Sequence, residues 1–266
     1  MTEKKGILVV SFGTVYAGTR QLTIDAIRNT IQEAHPECAV YEAWTSRRII
    51  RKLLETTGER IRTVGEALEE MERDGIREVY IQPTHVIDGI ENERMKEEAG
   101  AYEDGFQRMV FAQPLIASGK DMEAMVRIIQ AEHSDLLQDE ALILMGHGSA
   151  HVASAAYEQM NQMFRQCGRQ NIWMCTVEAE PGIEEALREI RQTSVARVRL
   201  APFLIVAGTH VMEDMAGPEE DSWMNLCKKA GYEVNCCMKG LGEYPEVRTL
   251  FLQHLETAMQ SQTASD

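Results

Sequence analysis

The sequence lacks the features that mark nucleic-acid-binding and membrane proteins. It has no surplus of positive charge, because 27 Lys and Arg stand against 42 Asp and Glu and give a net charge of -15. Binding to phosphates and adhesion to anionic membranes both depend on Lys and Arg. The sequence also has no apolar stretch near the ~18 consecutive residues of a membrane span. We therefore expect neither a nucleic acid nor a membrane as a partner.

The cysteine spacing typical of metal or disulfide scaffolds is also missing. The six cysteines include no CxxC pair, and the adjacent residues Cys236 and Cys237 seldom form a disulfide at that spacing. A thiolate zinc site is therefore disfavoured. The first ten residues, MTEKKGILVV, contain a short apolar run without a small-residue cleavage site. Residues 7–10 are predicted to form a strand rather than part of a signal peptide, and we expect reduced thiols and a cytoplasmic location.

What the sequence does contain is the composition of a globular protein and a regular alternation of two patterns. Hydrophobic residues make up 44% and charged residues 26%, which predicts a packed core. The predicted strands are Ile7–Ser11, Cys38–Trp44, Glu78–Gln82, Arg108–Ala112, Ala141–Met145, Ile172–Val177, Arg197–Ala201 and Glu233–Met238. The predicted helices between them are Thr19–Ala34, 45–55, Thr63–Asp74, Lys120–His133, Ala153–Cys167, Ile183–Gln192 and Asp221–Ala230. This alternation predicts an α/β fold with parallel sheets flanked by helices.

A faint internal repeat indicates that the chain has two similar parts. The matched segments are 6–14 with 141–149, 38–49 with 172–183, and 78–91 with 197–210. These matches pair Phe12 with His147, Trp44 with Glu178, and Glu91 with His210. They predict two Rossmann-like halves, residues 1–118 and 119–266, with the last helix free to pack back on the first half. Such halves place the carboxyl ends of their strands along a shared cleft, where ligands bind in open α/β sheets.

His147 follows an apolar strand directly, in the segment MGHGSAH. Gly146 and Gly148 flank it, so the backbone can turn sharply there and a ligand can approach. A structural histidine in a loop is the alternative interpretation. Ser149 suggests a hydrolase nucleophile, but GHGS lacks the G-x-S-x-G spacing of a nucleophile elbow. His147 is therefore a candidate metal ligand and proton acceptor.

Two further ionisable side chains stand at the ends of predicted strands in the second half. His210 follows the apolar run FLIVAGT, where the alternative is an ordinary position in a helix capped by Thr209. Glu178 precedes Pro181, where the alternative is a solvated acidic helix start. Two neutral imidazoles and a carboxylate form a set with open coordination positions, unlike a closed structural site with four ligands. Such a set suits Zn, Co, Ni or Fe.

The first half offers a basic segment and one further carboxylate. The segment TSRRIIRKLLE carries Arg47, Arg48, Arg51 and Lys52 close together on a predicted helix. This segment is either an ordinary exposed face or a local clamp for the carboxylates of a ligand. Glu91 is either a surface carboxylate in a loop or, as the repeat partner of His210, a group on the facing wall of the cleft.

The motifs, taken in order, resemble those of a known family. They are VVSFGT, SRRIIRKL, THVIDGIE, MGHGSAH, VEAEPG, IVAGTHVMEDMAG, DSW and GLGEYPEVR. Together they resemble the anaerobic-type sirohydrochlorin cobaltochelatases, which belong to the class II chelatases, from Ile7 to about His254. The resemblance implies two Rossmann-like, chelatase-like halves, each with a parallel sheet flanked by helices, and a tetrapyrrole in the cleft between them.

The resemblance also implies a metal site and a reaction. The metal-binding pair of the family falls on His147 and His210, which are also catalytic, and the accompanying glutamate falls on Glu178. A further catalytic glutamate falls on Glu91. The implied reaction inserts Co²⁺, as a substrate metal, into sirohydrochlorin or a close precorrin, and it needs neither an organic cofactor nor ATP.

The predicted tetrapyrrole-binding residues lie in the first half. They are Ser11, Phe12, Gly13, Thr14, Arg47, Arg51 and His85. Two other functions stay open at this point. One is insertion of iron or nickel, because imidazole and carboxylate suit several metals. The other is storage or transport of a metal or tetrapyrrole without catalysis. The sequence leaves a homo-oligomer open as well.

Overall fold

The computed structural model describes residues 4–261 and divides into two compact units. The first unit holds the described residues up to Ala117 and those from Gly242 onward, and the second unit holds Ser118–Leu241. Residues 1–3 and 262–266 of the two predicted halves lie outside the described residues. Within the described part of the chain, no helix is both long enough and apolar enough to cross a bilayer.

The first unit is built on a four-stranded parallel sheet. Its strands are β1 (Lys5–Ser11), β2 (Ala39–Trp44), β3 (Glu78–Pro83) and β4 (Arg108–Phe111), in the order β2-β1-β3-β4. The first five helices are α1 (Ala17–Leu22), α2 (Ile24–Ala34), α3 (Arg47–Thr57), α4 (Val64–Arg73) and α5 (Ile90–Gly100). Strand β1 is buried along nearly its whole length. A central strand of a parallel sheet is covered on both faces, which explains its continuous apolar sequence.

Two helical regions of the first unit differ from the sequence prediction. The predicted helix Thr19–Ala34 is interrupted at Thr23, where the backbone leaves the helical conformation and the hydroxyl donates to the carbonyl of Thr19. Helix α5 was not predicted, because its sequence IENERMKEEAG is mostly polar and buries only Asn92, Met95 and Ala99. Glu91 therefore lies in the first turn of a helix rather than in a loop.

The second unit repeats the same sheet topology. Its strands are β5 (Glu140–Gly146), β6 (Ile172–Thr176), β7 (Arg197–Pro202) and β8 (Glu233–Cys236), in the order β6-β5-β7-β8, and all are parallel. Its helices are α6 (Gly119–Glu132), α7 (Ala155–Gln166), α8 (Ile183–Ile190) and α9 (Trp223–Lys229). The chain then returns to the first unit through α10 (Pro245–Gln260), which contacts α2 and β3. The prediction of two parallel sheets flanked by helices is confirmed.

The topology of the second unit brings the carboxyl ends of β5, β6 and β7 to one edge of the sheet. Strand β5 pairs with β6 up to Gly146 and Thr176, and with β7 up to Met145 and Pro202. All seven residues of β5 are buried, so the end of this strand is fixed by packing on both sides. The segments that follow the three strand ends carry His147, Glu178 and His210.

Candidate metal centre

The backbone itself brings the segments after β5 and β6 together. The amides of Val177 and Glu178 both donate to the carbonyl of His147, at 3.1 and 2.9 Å. Gly148 takes φ +76°, and a Cβ there would lie 2.6 Å from Cβ of Thr176. Only glycine allows both the left-handed conformation and this close approach. The sharp turn after β5 therefore places Glu178 beside His147.

His147, Glu178 and His210 form a compact group of potential metal ligands. One ligand atom from each lies within 4.8 Å of the others. The two imidazole rings are 4.8 Å apart between centroids and meet edge to face at 87°. Oε2 of Glu178 lies 3.8 Å from Nδ1 of His147. The structure thus brings together the three residues that the sequence singled out for metal binding.

The hydrogen bonds of the two imidazoles determine which nitrogen of each ring is available. Nδ1 of His147 lies 2.7 Å from the carbonyl oxygen of Gly148, and Nδ1 of His210 lies 2.7 Å from Oδ2 of Asp214. A carbonyl and a carboxylate can only accept, so each Nδ1 must carry the proton. A neutral ring then has its lone pair on Nε2, which is the nitrogen that can bind a metal.

The exposure of the group suits an exchangeable ion. The side chains of His147, Glu178 and His210 are 44%, 54% and 35% exposed, so solvent reaches all three. Two imidazole nitrogens and one carboxylate leave coordination positions open for water or a second ligand. Several first-row divalent metals, cobalt among them, accept this ligand set. The site can therefore hold a metal ion and also release it.

The predicted contacts at the end of β1 divide into buried and exposed residues. The hydroxyl of Ser11 accepts a 2.9 Å hydrogen bond from Thr84, and both side chains are buried. Gly13 takes φ +102° against the indole of Trp44, where a Cβ would overlap the ring. Thr14 is also buried, but Phe12 is 46% exposed and is the large apolar side chain of this turn that a ligand can reach.

His85 is held by a chain of polar contacts beyond the end of β3. Lys96 binds Asp88, Asp88 accepts from the amide of Asn92 at 2.6 Å, and Oδ1 of Asn92 lies 3.1 Å from Nδ1 of His85. Because Asp88 accepts the Asn92 amide group, the Asn92 oxygen faces His85 and makes Nδ1 the donor. Nε2 is buried and has no hydrogen-bond partner among the described residues. Burial lowers the pKa of His85, so the ring is neutral at neutral pH.

The remaining predicted residues of the first unit are charged and reach solvent. Glu91 pairs with Arg94 at 2.9 Å, one turn along α5. Arg47 is exposed and pairs with Glu98 at 3.0 Å. Arg51 is also exposed. The guanidinium groups of α3 are thus accessible to an anionic ligand.

Sequence reasoning missed Asp214 and Asn92, the residues that hold His210 and His85. Asp214 could have been suspected from spacing. His210 and Asp214 are four residues apart in a segment predicted to open a helix, where side chains at that spacing are neighbours. Asn92 gave a weaker signal, because the helix that carries it was not predicted.

Comparisons with known proteins identify the family. The family model described as cobalt chelatase (CbiK) matches residues 5–260. The sirohydrochlorin cobaltochelatase of Salmonella typhimurium is 34% identical over 256 residues, which cover 96% of this chain and 97% of that protein. The sirohydrochlorin cobaltochelatase CbiKC of Nitratidesulfovibrio vulgaris is 30% identical over 263 residues, 97% of this chain and 92% of that protein.

A solved structure shares the fold at low sequence identity. SirB from Bacillus subtilis with Fe³⁺ aligns with a TM-score of 0.67 and 13% identity, over 99% of each chain. With the family model matching almost the entire sequence, the chain belongs to the cobalt chelatase (CbiK) family.

Proposed function

We propose that this protein inserts Co²⁺ into sirohydrochlorin. The observation that carries the proposal is the convergence of His147, His210 and Glu178 within 4.8 Å at the edge of a parallel sheet. The name of the matching family and the names of the two relatives support the metal and the tetrapyrrole. The six cysteines are free thiols, which suits a reaction in the reducing cytoplasm.

The reaction exchanges two pyrrole N–H protons of the macrocycle for one divalent cation. No electron is transferred and no phosphate bond is broken, so the exchange balances without ATP or an organic cofactor. The protein must replace water on the metal, hold the ring so that its nitrogen lone pairs are accessible, and accept the protons. Each task needs groups of a different kind.

The metal is held by neutral nitrogen donors and one charge. Nε2 of His147 and of His210 replace water on Co²⁺, and Glu178 supplies a negative charge that favours the dication. The three side chains are partly exposed, so the ion can still lose these ligands to the macrocycle. As the ion passes to the macrocycle, the lone pair on Nε2 of either imidazole becomes free to accept a pyrrole proton.

The first unit supplies groups suited to the tetrapyrrole. Nε2 of His85 has a lone pair without a partner among the described residues, but it is buried, so it would accept a hydrogen bond from the macrocycle only if the residues that cover it moved aside. Arg47 and Arg51 offer exposed guanidinium groups to the carboxylates of the macrocycle. Phe12 offers an exposed apolar ring. Glu91 is the candidate to accept a proton in this unit.

The proposal is tested by anaerobic incubation of the protein with sirohydrochlorin and Co²⁺, followed by visible absorbance. We expect metallated product in many-fold excess over protein, and loss of nearly all activity in His147→Ala and in His210→Ala with the fold retained. Product that stops at one equivalent would indicate a carrier rather than an enzyme. Wild-type rates in both variants would remove the two histidines from the site.

The metal is tested in the same assay by competition. Equal concentrations of Co²⁺, Fe²⁺ and Ni²⁺ are offered to the protein with limiting sirohydrochlorin, and the products are separated by their absorbance spectra. We expect the cobalt product to dominate. A dominant iron or nickel product would assign the enzyme to another metal with the same ligand set.

A further inference from the structure

Asp214 lies directly behind one of the two candidate metal ligands. Its Oδ2 is 2.7 Å from Nδ1 of His210, so it contacts the ring at the nitrogen other than Nε2. Asp214 is not one of the three residues, His147, Glu178 and His210, whose ligand atoms converge. It therefore contacts the imidazole of His210 rather than the position of a metal ion. This places a carboxylate group behind His210.

The backbone around Asp214 is held in a tight π-helical turn, Val211–Met215. Val211 and Met215 are completely buried and anchor the two ends of the turn in the core of the second unit. The turn closes through the amide of Gly217, which donates to the carbonyl of Glu213 at 3.1 Å. A Cβ at Gly217 would overlap that carbonyl, so the closure depends on glycine. Asp214 therefore has a fixed position from which to hold the ring.

The two histidines differ in what holds them. Nδ1 of His147 donates to a backbone carbonyl, which is neutral and is present whatever the side chains are. Nδ1 of His210 donates to a carboxylate, which forms a stronger, charge-assisted bond and makes the ring a better electron donor at Nε2. The orientation of His210 thus depends on one side chain that can be exchanged.

We propose that Asp214 is a positioning residue that keeps the proton of His210 on Nδ1 and directs Nε2 toward Co²⁺. This inference rests on the proposed function, because it assigns a role within the same site. Removal of such a carboxylate behind a metal-binding histidine typically lowers metal affinity or activity by about 10- to 100-fold. We expect a loss of that size in Asp214→Asn and Asp214→Ala.

The matched control is Glu213→Gln. Glu213 is the neighbouring residue in the same turn, its side chain is exposed, and the substitution removes the same charge. Asp214→Asn is nearly isosteric, so it tests the hydrogen bond with little change in packing. An asparagine amide can donate to an unprotonated Nδ1, which stabilises the ring with its proton on Nε2 and blocks the lone pair needed by the metal.

The first measurement reads the tautomer directly in metal-free protein. Protein labelled with ¹⁵N-histidine is studied by long-range ¹H–¹⁵N correlation, and the ring of His210 is assigned by the loss of its signals in His210→Gln. We expect the Nδ1–H form in the wild type and in Glu213→Gln, and a substantial Nε2–H form in Asp214→Asn. A wild-type ring protonated on Nε2, or an Asp214→Asn ring identical to the wild type, would overturn the inference.

The second measurement separates metal handling from tetrapyrrole handling. Co²⁺ is titrated into each variant by calorimetry without tetrapyrrole, and the KM values for Co²⁺ and sirohydrochlorin are then determined separately. We expect Asp214→Asn to weaken Co²⁺ binding and raise its KM while the KM for sirohydrochlorin stays unchanged. Unchanged Co²⁺ affinity in both Asp214 variants would refute the positioning role. Failure of the wild type to turn over would instead refute the proposed function, while the tautomer and Co²⁺ titration would still test Asp214.

Discussion

Gly148→Ala should lower the stability of the second unit and disturb its candidate metal site. Gly148 takes φ +76°, a left-handed conformation that costs an alanine about 1–2 kcal/mol. The added Cβ would also lie 2.6 Å from both Cβ and Oγ1 of Thr176, and 3.0 Å from Cβ of Ala179. Thr176 is β-branched and buried at the end of β6, so it cannot rotate away easily. Overpacking of this kind costs about 1–3 kcal/mol more.

The chain offers a control for the backbone part of this loss. Gly168 also has φ +76° and lies in the same unit, but a Cβ there would meet nothing within 4 Å. Gly168→Ala should therefore show the conformational cost alone, about 1–2 kcal/mol. We expect the free energy of unfolding, measured by urea denaturation, to fall further in Gly148→Ala by about 1–3 kcal/mol.

The same substitution also tests how His147 is held. The carbonyl of Gly148 accepts from Nδ1 of His147, so a shift of the turn should move the imidazole away from its metal-binding position. We expect Gly148→Ala to weaken Co²⁺ binding and Gly168→Ala to leave it unchanged. Equal losses of stability in the two variants, or undiminished Co²⁺ affinity in Gly148→Ala, would refute the reasoning.

Three further predictions follow from the described contacts. Glu178→Gln should raise the KM for Co²⁺ more than the KM for sirohydrochlorin, because the carboxylate lies beside the imidazoles; the reverse pattern would remove it from the metal site. Arg47→Ala and Arg51→Ala should raise the KM for sirohydrochlorin and leave that for Co²⁺ unchanged, because both guanidinium groups are exposed; a changed KM for Co²⁺ alone would contradict this role. His133 is buried, its Nε2 has no partner among the described residues, and burial lowers its pKa. The imidazole of His133 therefore binds a proton more weakly in the native state than in the unfolded chain. The free energy of unfolding should then fall as the pH drops below ~6.5, by at most about 1.4 kcal/mol per pH unit. His133→Gln should reduce the pH dependence of the free energy of unfolding, measured by urea denaturation, between about pH 6.5 and 5. This range lies above the pH at which carboxylates dominate the titration. An unchanged pH dependence in the variant would contradict the role of His133.

The strands were predictable because burial on both faces leaves a simple trace in the sequence. β1 and β5 are almost entirely buried, and their apolar runs end where the sheet ends. Parallel strands share one carboxyl edge, so ionisable residues after several strand ends could be expected to converge. This reasoning located His147 and His210 without any contact information, and the structure places their rings side by side.

The features that were missed depend on local contacts with weak sequence signals. The helix breaks at Thr23, whose hydroxyl bonds to the carbonyl of Thr19, within a sequence pattern that is otherwise helical. Helix α5 buries few apolar residues, so its periodicity is faint. The segment after His210 was predicted to open a helix but forms a π-helical turn of five residues. The four-residue spacing hinted at a contact between Asp214 and His210, and the structure shows that contact within the π-helical turn.

The central claim is that one cobalt ion is bound by two imidazoles from separate strand ends. Cobalt K-edge X-ray absorption on protein loaded with one equivalent of Co²⁺ counts the imidazole ligands directly. We expect two imidazoles in the wild type and one in each of His147→Ala and His210→Ala. A wild-type spectrum without imidazole scattering, or one that does not change in the two variants, would contradict the account.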